Sequence, residues 1–256
     1  MRLAAGFALL LGIATAAVAQ EHPQGQEQHP HWTYQGKTGP VNWGKLEGDF
    51  KACSEGHEQS PIDIRGAKVN KALKPIEFHY LSGPVTIDNN GHTELVTVHP
   101  GSYIVVEGVR YDLQQFHFHH PSEETVNGKL ADMDAHLVHK SADGKLAVVA
   151  VRLSMLQGDS NATMASLWEH LPVKTGEKDD ITGTINPGGL LPADRRYWTY
   201  IGSLTTPPCT EGVRWFVMQQ PVNISREELR QFSSIYRINS RPLQDAHGRK
   251  IEAEEQ

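Results

Sequence analysis

The chain has 256 residues, of which 38% are hydrophobic and 21% are charged, and its 24 basic and 30 acidic side chains give a formal net charge of −6. This length suffices for one large β-rich or mixed domain, or for two small ones at most. A negative chain without a clustered basic stripe is a poor candidate for nucleic acid binding. Beyond the first 19 residues no apolar run is long enough for a membrane span.

The N-terminus has the features of a secretory signal peptide, predicted over residues 1–19. Arg2 gives a positive start, a short apolar run follows, and the small-x-small sequence at 17–19 provides a cleavage site. A short N-terminal anchor is the alternative. Residues 20–31 are rich in Gln, Glu, His and Pro and predict a flexible leader. The folded domain then spans residues 32–256, and export leads to the periplasm or the cell exterior.

Two cysteines, Cys53 and Cys209, lie far apart in this exported chain. In an oxidising compartment they favour one disulfide, closing a loop of about 155 residues, over two free buried thiols. Two cysteines cannot form a Cys-rich zinc site, so any metal site must use histidine and carboxylate ligands.

From about residue 76 to 155, short β-prone runs alternate with turn residues. Runs at 84–88 and 95–98 flank Asn89-Asn90-Gly91, a strong hairpin signal, and further runs cover 103–106, 113–119, 134–139 and 146–153. Helices are predicted only at 162–171 and 225–234, the second opened by a Ser225–Glu228 capping box. The sequence predicts one mainly β domain (β-rich α+β).

Two histidines on one strand are the first candidates for metal ligands. His117 and His119 are two residues apart and therefore project from one face, while Phe116 and Phe118 project from the other. His136, on a neighbouring strand, would complete three corners of a tetrahedron and leave the fourth open, as a catalytic zinc site requires. By itself, His-Phe-His fits equally well a half-buried strand with histidines at its solvated edge.

Separated strings in one fixed order extend over nearly the whole mature chain. They are Gly39-Pro40 before Trp43, Gln59-Ser60-Pro61-Ile62-Asp63-Ile64, Asn89-Asn90-Gly91-His92, Gln115 to His119, Ser122-Glu123-Glu124-Thr125-Val126, His136-Leu137-Val138-His139, and Tyr197 to Pro208. In these strings the chain resembles the α-class carbonic anhydrases of the exported bacterial type, from about Trp32 to Arg241. The resemblance implies a large twisted, mostly antiparallel central sheet with a few short peripheral helices.

The resemblance also implies an activity, that of carbonic anhydrase (carbonate dehydratase), a zinc lyase. One Zn²⁺ per chain would be held by His117, His119 and His136, and zinc-bound hydroxide would convert carbon dioxide reversibly to bicarbonate and a proton. Carbonic anhydrase is itself the standard example of a zinc ion that lowers the pKa of its bound water to about 7. Carbon dioxide and bicarbonate are the expected partners, and a homodimer is left open.

Three further matches carry catalytic roles. Thr205 matches the threonine whose hydroxyl accepts a hydrogen bond from the zinc-bound hydroxide, and Glu123 matches the carboxylate to which this threonine donates. A hydroxyl that donates to Glu123 can only accept from the bound hydroxide, which orients a lone pair towards carbon dioxide. His92 matches the histidine that shuttles the product proton to buffer, and an unperturbed pKa of about 6.5 suits that task.

The remaining matches surround these residues. Gln115, Asp134 and the backbone carbonyl of Asn239 match the groups that orient the three histidines, although glutamate is usual where Asp134 stands. Glu124 is expected to point away from the site on an extended segment. The substrate pocket is implied to consist of Val138, Val148, Leu204, Thr206, Val213 and Trp215. Cys53 and Cys209 match a disulfide of exported members.

Departures from the family pattern occur at two further positions. Leu95 stands where a polar residue is more usual in the cavity. His120 stands where the vertebrate pattern has Trp, and it is expected on the opposite strand face with no role.

Two rival functions compete with this interpretation. A cupin-type metal enzyme would use His117, His119 and Glu123 as ligands, but its motif requires glycines where this chain has Tyr111 and Leu130. A catalytically silent binding module of carbonic anhydrase type would arise by loss of zinc histidines, and all three are present here.

Overall fold

Strands dominate residues 31–255, the part of the chain that the computed structural model describes. The predicted signal peptide and nearly all of the predicted leader lie outside these residues. The strands are β1 (Asp63–Ile64), β2 (Lys68–Val69), β3 (Glu77–His79), β4 (Gly83–Asn89), β5 (Glu94–Val98), β6 (Tyr103–Val106), β7 (Val109–His119), β8 (Thr125–Val126), β9 (Met133–Ser141), β10 (Leu146–Ser154), β11 (Lys178–Ile185), β12 (Tyr197–Ser203), β13 (Glu211–Met218), β14 (Val222–Asn223) and β15 (Glu252–Ala253).

The helices are short and lie outside the sheet. The α-helices are α1 (Trp43–Leu46), α2 (Ala52–Glu55), α3 (Ala162–Trp168) and α4 (Arg226–Ile235), and 3-10 turns cover Gly36–Thr38, Pro40–Asn42, Gly48–Phe50 and Pro187–Leu190. Helix α4 begins at the predicted capping box, in which the Ser225 hydroxyl accepts the Glu228 N–H and the Glu228 carboxylate accepts the Ser225 N–H. The helix predicted over 162–171 ends three residues earlier, at Trp168.

One large mixed sheet runs in the order β11-β4-β5-β7-β9-β10-β13-β12-β15-β2. Most neighbours pair antiparallel, and the parallel exceptions in this sheet are β10 with β13, β10 with β14, and β15 with β2. The hairpin at Asn89-Asn90-Gly91 joins β4 to β5, and Gly91 adopts the positive φ of 84° that the turn requires. The predicted β-rich single domain with a mostly antiparallel central sheet is confirmed.

The two faces of β7 lie in different environments. Phe116 and Phe118 are fully buried in the main core, where Phe118 packs edge-on against Trp168 of α3. Burying each such ring stabilises the fold by roughly 1.5–3 kcal/mol. The phenylalanines hold β7 on the core, so that the alternate residues His117 and His119 face the opposite side of the sheet.

A disulfide joins Cys53 to Cys209 across 156 residues of sequence. Both cysteines are buried with Trp43 and Phe50 in a small cluster of their own. The bridge thereby ties the N-terminal segment to the loop that follows β12. Among the described residues, no helix is both long enough and apolar enough to cross a membrane.

Glu94 on β5 is a buried acid that the sequence did not single out. Its side chain is fully buried, and neither carboxylate oxygen has a hydrogen-bond partner among the described residues. Burial, and then the charge of Asp88, raise the pKa of Glu94 from 4.5 to about 8. Between these pH values the folded chain keeps a proton that the unfolded chain releases, so folding stability falls as the pH rises from 4.5 to 8.

We therefore expect Glu94→Met to stabilise the protein, and more strongly at pH 8 than at pH 5. Methionine fills the same unbranched space without an unpaired polar group, and burying such a group costs about 1–3 kcal/mol. Thermal unfolding at both pH values measures the gain, with Glu169→Met at an exposed position as the control. An equal or larger gain at pH 5 would contradict the assignment.

Candidate metal centre

Strand pairing brings three histidines together. His117 of β7 lies directly opposite His136 of β9, and His119 lies opposite Asp134. The ring centroids of His117 and His119 are 5.0 Å apart, those of His117 and His136 are 5.5 Å apart, and those of His119 and His136 are 4.7 Å apart. Each ring offers one nitrogen within 4.8 Å of the other two, a spacing that suits one shared metal ion.

Two of the rings are fixed from behind. The Nδ1 atom of His117 lies 2.8 Å from the Gln115 side-chain oxygen, and the Nδ1 atom of His119 lies 2.8 Å from the Asn239 backbone oxygen. Both contacts assign the Nδ1 proton and leave Nε2 as the ligand atom. The Nε2 atom of His119 is buried without a hydrogen-bond partner among the described residues.

A metal ion would satisfy this orphaned nitrogen, so the residues fit a metal centre. Burial, and then the neighbouring His119 and His136, lower the pKa of His117 well below its ordinary value. A lowered pKa keeps the imidazole neutral, which is the form that binds metal.

The third ring, His136, faces two carboxylates. Its Nε2 atom lies 3.4 Å from an Asp134 oxygen and 3.5 Å from a Glu124 oxygen, and all three side chains are buried. Burial opposes a charge on His136, but Asp134 and then Glu124 outweigh it and raise the pKa of the imidazole.

The expectation that Glu124 points away from the site is therefore wrong. The chain bends at Glu123 and Glu124 before β8 begins, so the alternation of an extended strand does not apply there. No local pattern in the sequence marks this bend, and sequence reasoning missed Glu124 for that reason.

Glu123 lies between two of the histidines. One of its carboxylate oxygens is 3.7 Å from the Nε2 atom of His119 and 3.8 Å from the Nδ1 atom of His136, and this oxygen has no hydrogen-bond partner among the described residues. The other oxygen accepts a hydrogen bond of 2.7 Å from the Arg241 backbone N–H. The backbone N–H of Glu123 in turn donates to a carboxylate oxygen of Asp134 at 2.6 Å. Glu123 is thus held rigidly and keeps one oxygen available to accept a hydrogen bond.

Arg241 is a supporting residue that the sequence analysis did not assign. Its buried guanidinium donates to the side chain of Gln59 and to the backbone oxygens of Ser60 and Cys53, and its own amide holds Glu123. One residue therefore connects the disulfide region to the carboxylate beside the histidines. This connection joins distant parts of the sequence, and only the folded chain reveals it.

His92 lies in the turn between β4 and β5 and is not one of the three clustered rings. Its ring stacks on Trp32 with 3.7 Å between centroids, and His31 follows at 5.3 Å. Burial, and then the nearby His31, lower the pKa of His92 to about 4. In this position the imidazole is neutral at pH 7 and accepts a proton less readily than a free histidine does. The surrounding cavity of about 490 Å³ also includes Asp49, Phe50, Pro207 and Pro208.

Apolar side chains form a wall beside the histidines. Trp215 is buried, with its ring 4.9 Å from that of His136, and Val148 and Val213 are equally buried. Val138 and Leu204 are partly buried and pack against the same cluster. Thr205 is buried in the loop after β12, and Thr206 follows it half-buried.

Two further residues, Leu95 and His120, lie next to the three histidines. Leu95 pairs with His117 across β5 and β7 and is half-buried. The imidazole of His120 contacts the Arg237 backbone oxygen and is not one of the three clustered rings.

A large mixed sheet presents three converging histidines, with acidic side chains behind them and an apolar wall beside them, and these residues could hold a metal ion. Comparison with known proteins specifies the family. The family model described as eukaryotic-type carbonic anhydrase matches residues 38–255. The chain therefore belongs to the carbonic anhydrase family of enzymes.

Individual relatives cover most of the chain. A carbonic anhydrase of Pectobacterium carotovorum is 40% identical over 245 residues, which are 95% of this chain and 96% of the relative. A carbonic anhydrase of Klebsiella pneumoniae is 42% identical over 224 residues, covering 86% of this chain and 90% of the relative. Among solved structures, the α-carbonic anhydrase of Thermovibrio ammonificans, in complex with the inhibitor sulfanilamide, superposes with a TM-score of 0.84 at 43% identity and covers 87% of this chain and 99% of its own.

Proposed function

We propose that the protein is exported and catalyses the zinc-dependent, reversible hydration of carbon dioxide to bicarbonate and a proton. The observation that carries the proposal is the set of three imidazoles, His117, His119 and His136, whose ligand nitrogens lie within 4.8 Å of one another. Membership of the carbonic anhydrase family supports the substrate. The Cys53–Cys209 disulfide supports export to an oxidising compartment, the periplasm or the cell exterior.

The three histidines would hold one Zn²⁺ per chain. When bound, the ion would acidify a water molecule and supply hydroxide at neutral pH. Gln115 and Asn239 fix the tautomers of His117 and His119 by their contacts at Nδ1. No fourth protein ligand is required, because a catalytic zinc site keeps one position open.

Thr205 and Glu123 orient the nucleophile in this proposal. Glu123 has an oxygen with no hydrogen-bond partner beside the histidines, and it can accept a hydrogen bond from the Thr205 hydroxyl. A hydroxyl that donates in this way can only accept from the nucleophile, so the lone pair of the nucleophile is directed at the substrate.

Carbon dioxide would bind against the apolar wall beside the metal centre. Val148, Val213 and Trp215 are buried there, and Val138 and Leu204 pack against them. An uncharged substrate of low polarity binds such a surface without losing hydrogen bonds to water. Thr206 adds a polar group at the edge of this pocket.

His92 is the proposed proton shuttle to buffer. We expect His92→Ala to lower kcat in weak buffer by about tenfold, which is less than the roughly 10²–10⁴-fold effect of a well-matched proton-transfer group, because the pKa of His92, lowered to about 4, makes it a weaker acceptor. Added imidazole should restore the rate, and kcat measured against imidazole concentration gives the readout. His79→Ala, at an exposed histidine that is not among the residues lining this cavity, serves as the control. Unchanged turnover without imidazole would mean that another group carries the proton.

The decisive experiment for the activity is stopped-flow hydration of carbon dioxide. The zinc-loaded protein should exceed the buffer rate, removal of zinc by a chelator should abolish the excess, and added zinc should restore it. If the zinc-loaded protein is no faster than buffer, the proposed activity is wrong. A silent binding module would give that result.

A further inference from the structure

We infer that Glu124 is a positioning residue for the third metal ligand, His136. In this arrangement the carboxylate of Glu124 accepts a hydrogen bond from the Nε2–H group of His136. Asp134, in the position that the family resemblance assigned to this task, instead serves mainly to hold Glu123. The inference rests on the proposed function in one respect, namely that His136 is a zinc ligand.

The surroundings of Glu124 leave one oxygen for His136. The side chain is fully buried, and its Oε2 atom lies 3.5 Å from the Nε2 atom of His136. Within the described part of the chain, neither of these two atoms has a hydrogen-bond partner. A buried carboxylate oxygen and a buried imidazole nitrogen that both lack a partner satisfy each other at the lowest cost, because an unmade buried hydrogen bond costs about 1–3 kcal/mol.

The competing acceptor is already engaged. The Asp134 oxygen that lies 3.4 Å from the Nε2 atom of His136 is Oδ2, and this same atom accepts the Glu123 N–H at 2.6 Å. That short bond fixes the backbone of Glu123 and draws the Asp134 carboxylate towards it. The side chain of aspartate is also one methylene shorter than that of glutamate, which limits its reach to the imidazole. Of the two carboxylate oxygens that lie within 3.5 Å of the Nε2 atom of His136, only Oε2 of Glu124 has no hydrogen-bond partner among the described residues.

The second oxygen of Glu124 ties the third ligand to another strand. Its Oε1 atom lies 3.4 Å from the Tyr200 hydroxyl of β12, and that hydroxyl is 3.2 Å from the Ser60 hydroxyl. Ser60 and Ser203 bind each other through two backbone-to-side-chain hydrogen bonds of 2.9 Å and 3.1 Å. Ser203 ends β12, two residues before Thr205. Glu124 thus connects the ring of His136 to β12, the strand that precedes the loop with Thr205.

This placement has a measurable consequence for metal retention. An acceptor on the nitrogen remote from the metal fixes the tautomer and orientation of a ligating histidine, and its removal costs about 10–100-fold in metal affinity or activity. We expect Glu124→Gln to raise the zinc dissociation rate at least about tenfold, because a neutral amide is a weaker acceptor than a carboxylate. Glu124→Met, which removes the acceptor altogether, should approach about 100-fold.

The test transfers zinc from the loaded full-length protein to a chromophoric chelator and follows the rate. Asp134→Asn is measured in parallel and should change this rate less than Glu124→Gln does. Glu94→Gln is the matched control, since Glu94 is equally buried and is not among the clustered metal-binding groups. The visible spectrum of the Co²⁺-substituted proteins should shift for the Glu124 variants and stay unchanged for Glu94→Gln.

The unfolding temperatures of the metal-free variants distinguish the proposed role of Glu124 from a purely structural one. If Glu124 only stabilised the fold, its variants would lower the unfolding temperature of the metal-free protein and leave the Co²⁺ spectrum unchanged. Any one of three results would overturn the inference. The first is that pattern, the second is a zinc dissociation rate of the Glu124 variants within twofold of the parent rate, and the third is a larger effect from Asp134→Asn than from Glu124→Gln. Zinc release needs no carbon dioxide, so a protein that retains zinc but does not hydrate carbon dioxide would refute the proposed activity alone.

Discussion

Replacing His119 by alanine should remove zinc from the protein and nearly all of its carbon dioxide hydration. A bound zinc ion contributes several kcal/mol to transition-state stabilisation. Each 1.36 kcal/mol is tenfold in rate, so a loss of about 4 kcal/mol lowers kcat/KM about 10³-fold. Metal analysis should give close to one zinc per chain for the parent and close to none for the variant, and stopped-flow hydration gives the rate.

The adjacent histidine provides a matched control for this substitution. His120 has the same side chain one residue later, but its imidazole contacts the Arg237 backbone oxygen and is not in the three-ring cluster. His120→Ala should therefore keep its zinc and its activity. A His119→Ala protein that retained one zinc per chain and the parent rate would exclude this ring as a ligand.

Replacing Thr205 by valine should leave zinc in place and lower kcat/KM about 100-fold. Valine keeps the shape of threonine but loses the hydroxyl that is proposed to donate to Glu123, so the nucleophile is no longer oriented. Small misplacements of a reacting group cost about 10²-fold. Thr210→Val is the control, because Thr210 is an exposed residue of the same loop.

The pairing of Thr205 with Glu123 predicts strong non-additivity. Glu123→Gln should cost about as much as Thr205→Val, and the double variant should lose little more than either single variant, because residues that act as one unit are not additive. Rates for all four proteins, each checked for zinc content, complete the cycle. Independent losses, multiplying to about 10⁴-fold, would show that the two side chains act separately.

The β-rich fold was predictable because its signals are local. The alternation of His and Phe over residues 116–119 places two rings in the core and two at the site, and the structure has the phenylalanines fully buried. The Asn-Gly turn marks the hairpin between β4 and β5, and the capping box marks the start of α4. Each of these features depends on residues that are close together in the sequence.

The surroundings of the histidines were less predictable, because they depend on contacts between distant segments. The pattern of an extended strand put Glu124 on the wrong side, since it takes no account of the bend that follows β7. Arg241 connects Cys53 to Glu123, because its guanidinium donates to the Cys53 backbone oxygen and its amide donates to the Glu123 carboxylate. No sequence motif predicts this connection. The stacking of His92 on Trp32, with its lowered pKa, likewise joins residues 60 positions apart.

The sequence by itself therefore determined the β-rich class, the alternation of strand faces and the three candidate metal ligands, because periodicity and residue type carry that information. Only the tertiary structure decided which carboxylates lie behind His136, how Glu123 is held and how deeply His92 is buried. Those features depend on the distances between side chains of separate strands and loops, and on the burial that sets their charge. Packing of the whole chain fixes both.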